Sequence, residues 1–161
     1  MDSLSDVEVH DKRVQYITHD QAQQNGYQNI TLVRDPYQRA ISLYKDFGLR
    51  RNHKRMIKSK SIDRNQSNNI DYFFQYQIAP SNDLLDDPHV RSQCSYITDD
   101  QNIFRVDKIY RMEMIDQMWR NLDLYPVQRN QTPEQIQLNS QQKLIIYTRY
   151  RRDFELLGYT Q

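Results

Sequence analysis

Between Asn29 and Gly48 the chain reads NITLVRDPYQRAISLYKDFG, and no other stretch limits the fold as much. Ile30-Thr31-Leu32-Val33 is a short, β-branched, apolar run of the kind that makes a buried strand. Asp35-Pro36 follows, an N-cap carboxylate directly before a proline at the first helical position. The pattern predicts a helix from there to about Phe47, stopped by Gly48. At roughly 100° per residue, Tyr37, Ala40, Ile41, Leu43, Tyr44 and Phe47 share one broad face, and Asp35, Gln38, Arg39, Ser42, Lys45 and Asp46 share the other. Arg34 at the strand's carboxyl end and Ser42 two turns into the helix can therefore converge on one anion. The crevice beyond strand carboxyl ends is where open α/β sheets bind ligands.

Upstream, Val14-Gln15-Tyr16-Ile17 alternates like a short strand, and Thr18-His19-Asp20 makes a turn. Asp20 is positioned to cap a helix through about Gln24, which Gly26 ends. Strand, helix and strand together predict a β–α–β unit and a parallel sheet. Residues 1–12 are polar and acidic and read as a trailing, disordered start, leaving 13–161 as a single domain. Downstream, Arg50 to Lys60 concentrates basic side chains that would attract an acidic glycan or a nucleotide, or else form a solvated helix face. Ser59 to Asn69 reads as a loop, and Ile70 to Ile78 as a short amphipathic helix with its aromatics in the core. Ile103 to Met112 predicts one or two strands with a turn at Asp107-Lys108, and Ile115 to Leu122 a helix. Thr132-Pro133-Glu134-Gln135 is a capping-box start. Ser140 then caps a long last helix with Tyr147, Tyr150, Phe154 and Leu157 on one stripe and Gly158 as its stop.

The composition removes several classes of function. With a net charge of +1 there is no global field for nucleic acid, so any anion site must be local. Only 3 glycines are present, too few for a glycine-rich phosphate loop. A single cysteine rules out an intramolecular disulfide, and Cys94 reads as a small buried residue. His10, His19, His53 and His89 lack metal-ligand spacing, so no metal is expected. No run approaches a membrane span or a signal region, so the chain is expected to be soluble and, by default, cytoplasmic.

Val33-Arg34-Asp35-Pro36 followed by Arg39, Ser42 and Tyr44 resembles the 3′-phosphate-binding motif of sulfotransferases that use 3′-phosphoadenosine 5′-phosphosulfate (PAPS). The family pattern is V-R-D-P, then x-x-R-x-x-S-x-Y, and every position is filled. The resemblance implies that Arg34 and Ser42 hold the nucleotide's 3′-phosphate, a task suited to a bidentate guanidinium and a neutral hydroxyl donor. Within sulfotransferase family 2, the uronyl and hexuronyl 2-O-sulfotransferase branch ends the preceding strand in a catalytic histidine, and His19 stands in the matching place. Asp87, His89 and Gln93 resemble a D-x-H-x-x-x-Q element bordering the acceptor cleft in carbohydrate sulfotransferases, which implies substrate contact by His89 and Gln93. Asp107, Ile109 and Glu113 fit the family's D-x-I-x-x-x-E strand before a helix. The ending from Tyr150 to Tyr159 is similar to Y-x-x-D-F-E-L-F-G-Y.

The resemblance covers about residues 14–159 and implies a P-loop-NTPase-like three-layer α/β fold, truncated, with a small parallel sheet and a mostly helical C-terminal half. It implies sulfuryl transfer from PAPS to a carbohydrate hydroxyl, with His19 as base and no metal. The family's first strand, first helix and 5′-phosphosulfate loop have no counterpart in the matched stretch. Three sources of that difference stay open: an upstream segment, a second chain that supplies the loop, or a non-catalytic remnant that binds nucleotide or glycan.

Overall fold

The computed structural model describes residues 18–49, 66, 68–124 and 136–161. The expected strand at 14–17, the basic stretch at 50–60 and the capping box at 132–135 lie outside them, as do residues 1–12. The described residues fall into two compact units, one drawn from 1–33 and 97–131, the other from 34–96 and 132–161.

In the first unit, helix α1 spans His19–Gln24. Its cap is Thr18 rather than Asp20: the Thr18 hydroxyl accepts from Gln21 N–H while the Gln21 side chain returns to the Thr18 N–H. A threonine with glutamine three residues on is a complete capping box, which outbids an isolated aspartate one position later. His19 is thereby the first residue of a helix. Gly26 ends the turn with φ of 73°, a conformation that suits a residue lacking Cβ. Strand β1 (Ile30–Val33) pairs in parallel with β2 (Lys108–Arg111), Ile30 opposite Lys108 and Val33 opposite Arg111. The parallel sense expected of the sheet holds, and the partner of β1 among the described residues lies about 75 residues away in the chain. Asp107 locks the register: its carboxylate accepts from Asn29 N–H at 2.7 Å and its own N–H donates to Asn29 O at 2.8 Å. The run before β2 contributes only a single antiparallel bridge, Thr98 to Phe104, closed by Asp99, whose carboxylate takes the Gln101 and Ile103 N–H groups and the Arg105 guanidinium. Helix α5 (Ile115–Asn121) follows where the periodicity placed it.

The second unit is helical. Helix α2 (Pro36–Leu43) begins at Asp35, whose carboxylate accepts from Gln38 N–H. It does not stop at Gly48: Tyr44–Leu49 continue as a wider π-helical turn that buries Tyr44, Phe47 and Gly48. Helix α3 (Ile70–Phe73) runs into a second π turn, Phe74–Ile78. Here the aromatic run divides. Phe73 and Phe74 enter the core, whereas Tyr72 and Tyr76 lie outside it with ring centres 4.6 Å apart. After the short helix α4 (Cys94–Ile97) the chain returns as α6 (Ser140–Arg149) and α7 (Arg151–Leu157). Asn139, not Ser140, caps α6, in a capping box with Gln142.

The core of this unit joins Ala40, Leu43, Tyr44 and Phe47 to Phe73, Phe74, Ile78, Val90, Ile146, Tyr150 and Phe154. Tyr44 and Phe74 each meet Phe73 edge-on, at 5.5 and 5.7 Å between ring centres. Such pairs add about 0.5–1.5 kcal/mol to their burial. The expected single last helix is broken at Tyr150, whose φ of −108° and ψ of 27° leave the helical region. The break lets the Tyr150 hydroxyl donate to Val90 O at 3.0 Å and turns Asp153 toward the segment around Gln93. Gly158 then closes α7 in the left-handed conformation.

Candidate functional site

Arg34 is the first residue beyond β1, and its peptide group is gripped from one side. Its N–H donates to Gln93 Oε1 and its carbonyl accepts from Gln93 Nε2, both at 2.8 Å. Gln93 is held in turn by Asp153, which accepts from the Gln93 N–H at 2.8 Å and lies 3.5 Å from Gln93 Nε2. Asp153 has no exposed surface, and its other oxygen accepts from the Cys94 N–H at 2.8 Å. Among the described residues, no hydrogen bond or ion pair engages the Arg34 guanidinium or the Ser42 hydroxyl. Arg34 is half-buried and Ser42 exposed. Two donors of the right chemistry for a phosphate are thus left unspent on one unit, one on a fixed backbone.

Arg39, the middle residue of the phosphate-motif pattern, has a different job. It donates to the His89 carbonyl at 2.9 Å and stacks its guanidinium over Tyr150, 5.5 Å from the ring centre. Its second terminal nitrogen is buried with no partner among the described residues. His89 is the middle residue of a short 3₁₀ turn (Pro88–Val90) capped by Asp87. Asp87 Oδ1 accepts both the His89 N–H at 2.9 Å and the ring Nδ1 at 2.6 Å. Because an ionised carboxylate only accepts, Nδ1 is the donor in this contact, which in the neutral imidazole leaves Nε2 as the acceptor. Nothing in the spacing of Asp87 and His89 announced this dyad except the D-x-H triplet itself.

His19 belongs to the first unit. Its Nδ1 lies 2.7 Å from the side-chain nitrogen of Asn29, the residue whose backbone Asp107 secures. An amide partner, unlike a carboxylate, can serve either tautomer by presenting its oxygen or its nitrogen. Asp107 stood out in the sequence only as the first position of the D-x-I-x-x-x-E resemblance, and Asn29 only by its place before the strand.

A polar buttress stands behind Gln93. Arg149, only 9 % exposed, donates to Asp83 and to the Ser81 hydroxyl, both at 2.6 Å. Asp83 also accepts from the N–H and hydroxyl of Ser92. Burial pushes the Asp83 carboxyl up, but the Ser92 hydrogen bonds and the Arg149 guanidinium outweigh it and hold the group below its ordinary value. Burial, with the charge and hydrogen bonding of Asp153, pushes the Cys94 thiol up to about 12, so it stays protonated and unreactive at neutral pH. An open groove of about 580 Å³ beside α6, lined by Ser81, Asp83, Leu144, Thr148 and Arg149, includes none of Arg34, Ser42, His89 or Gln93. Among the described residues there is no cluster of three or more metal-ligating side chains, and no helix is long and apolar enough to cross a membrane.

The model of the Sulfotransferase family matches residues 3–160, and the chain belongs to that family. Family membership makes sulfuryl transfer, from a donor such as PAPS to an acceptor substrate, its class of chemistry. No curated protein and no solved structure matches the chain.

Proposed function

We propose that this chain binds PAPS by its 3′-phosphate, through Arg34 and Ser42, and serves sulfuryl transfer to a carbohydrate hydroxyl. One observation supports the reading above the others: Arg34 keeps its guanidinium free of partners among the described residues while its peptide is clamped by Gln93. A half-buried arginine with no ion pair costs desolvation that a bound dianion would offset. PAPS supplies an activated sulfuryl group when bound; the chain's own residues hold the nucleotide and remove the acceptor proton. His19 is the proposed base. It can act through Nε2 only in the tautomer with its proton on Nδ1, donated to the Asn29 side-chain oxygen.

A second reading gives the proton to His89, and its support is the Asp87 contact. That carboxylate imposes the base-competent tautomer, which the Asn29 amide does not. His89 would then leave the acceptor-binding role to other side chains, and Asp87 would stabilise the imidazolium as it forms.

Calorimetry with adenosine 3′,5′-bisphosphate tests the anion site. Losing one charge-assisted contact costs about 1.5–3 kcal/mol, so Arg34→Ala should weaken binding roughly ten- to a hundredfold. Equal affinity in variant and wild type, or no binding to wild type at low salt, rules the site out.

A further inference from the structure

We infer that Gln93 is a positioning residue: its side-chain amide holds the Arg34 peptide in the orientation from which the guanidinium grips an anion. The inference rests on the anion-site reading of Arg34 and gives Gln93 a role other than acceptor contact.

The geometry has three parts. First, Arg34 N–H to Gln93 Oε1 and Gln93 Nε2 to Arg34 O, each 2.8 Å, form the two-point exchange that a hydrogen-bonded pair of residues makes in a sheet. Arg34 lies one residue past the end of β1, so the amide satisfies a peptide that has left the ladder. Second, the amide has a single sensible orientation. Asp153 is 3.5 Å from Nε2, and a carboxylate there faces a donor and repels an oxygen. Oε1 must therefore point at Arg34 N–H. Third, Asp153 cannot move away, because it is wholly buried and accepts the backbone N–H groups of both Gln93 and Cys94. Both ends of the Gln93 amide are engaged, Oε1 by the Arg34 N–H and Nε2 by the Arg34 carbonyl and Asp153.

Side chain, peptide and carboxylate thus form one rigid line from α7 to the motif arginine. Its effect on binding is entropic: a fixed Arg34 backbone removes torsional freedom that would otherwise be lost on ligand capture. Turning the amide toward the acceptor would instead break both of its bonds to Arg34.

A double-mutant cycle on adenosine 3′,5′-bisphosphate affinity tests this, with adenosine 5′-monophosphate as the ligand lacking the 3′ group. Gln93→Leu should weaken the bisphosphate about tenfold and the monophosphate little. In an Arg34→Ala background the same change should cost nothing further, because Gln93 acts only through Arg34. Full affinity in Gln93→Leu overturns the inference, as does a loss that simply adds to that of Arg34→Ala, which would mean direct ligand contact. Amide hydrogen exchange on the unmutated protein provides a measurement that does not depend on the variant folding. The Arg34 N–H should exchange slowly, and a freely exchanging one overturns the clamp. Wild type that binds no bisphosphate removes the anion site and this role with it, whereas binding that depends on Arg34 but ignores Gln93 removes the role alone.

Discussion

Replacing Asp153 by asparagine changes shape hardly at all and tests whether this carboxylate organises the helical unit. In the native protein Oδ1 accepts from Cys94 N–H and Oδ2 from Gln93 N–H, each at 2.8 Å, in a site with no exposed surface. An amide can accept with only one of its two ends. The other becomes an NH₂ facing an N–H, so one bond is lost and a buried donor stays unsatisfied, at about 1–3 kcal/mol. The surviving bond also loses its charge assistance, roughly another 1 kcal/mol. Removing a buried charge returns part of this through relieved desolvation. The net expectation is a loss of about 2–3 kcal/mol, a large share of the roughly 5–15 kcal/mol that holds a typical domain together. For a chain of this size that lowers Tm by roughly 4–12 °C. Urea titration followed by circular dichroism gives the number directly. A destabilisation under about 0.5 kcal/mol, with an unchanged slope, would show that the two N–H groups find other acceptors and that the carboxylate is not needed.

Arg149→Met should destabilise by about 2–3 kcal/mol, discounted from the cost of splitting a fully buried pair because Asp83 is 23 % exposed. The Asp83 carboxyl is held below its ordinary value, so the folded state takes up that proton less readily than the unfolded one. Its contribution is complete above about pH 4 and disappears as pH falls through the lowered value, so urea midpoints at pH 6 and pH 3 should differ less in Arg149→Met than in wild type. For the two candidate bases, sulfate transfer to a glycan panel should be abolished by His19→Ala and persist in His89→Ala, and the reverse outcome selects the Asp87–His89 dyad. Imidazole nitrogen-15 shifts give an independent check, since a neutral His19 protonated on Nε2 cannot be the base in its resting state.

Local pattern carried much of the architecture. The apolar run at 30–33, the Asp35-Pro36 start of α2 and the buried stripe through Tyr150, Phe154 and Leu157 were legible because strand, cap and helix period each depend on a few adjacent residues. Boundaries set by competition were less so: Thr18 displaces Asp20, Asn139 displaces Ser140, and Gly48 is absorbed into a π turn instead of ending the helix. Each outcome depends on which local hydrogen bond wins, and single-residue preferences do not rank them.

By itself the sequence determined the family, the strand-to-helix joint that carries Arg34 and Ser42, and the helical character of the second half. Only the tertiary structure decided what the polar residues do. That Gln93 is spent on the Arg34 peptide, that Arg39 is tied to the His89 carbonyl and that Asp153 is a buried acceptor all depend on contacts spanning 50 to 60 residues of chain. The physical reason is that a hydrogen bond needs two groups at about 3 Å with the right orientation, and sequence spacing settles that only within a turn or a helix.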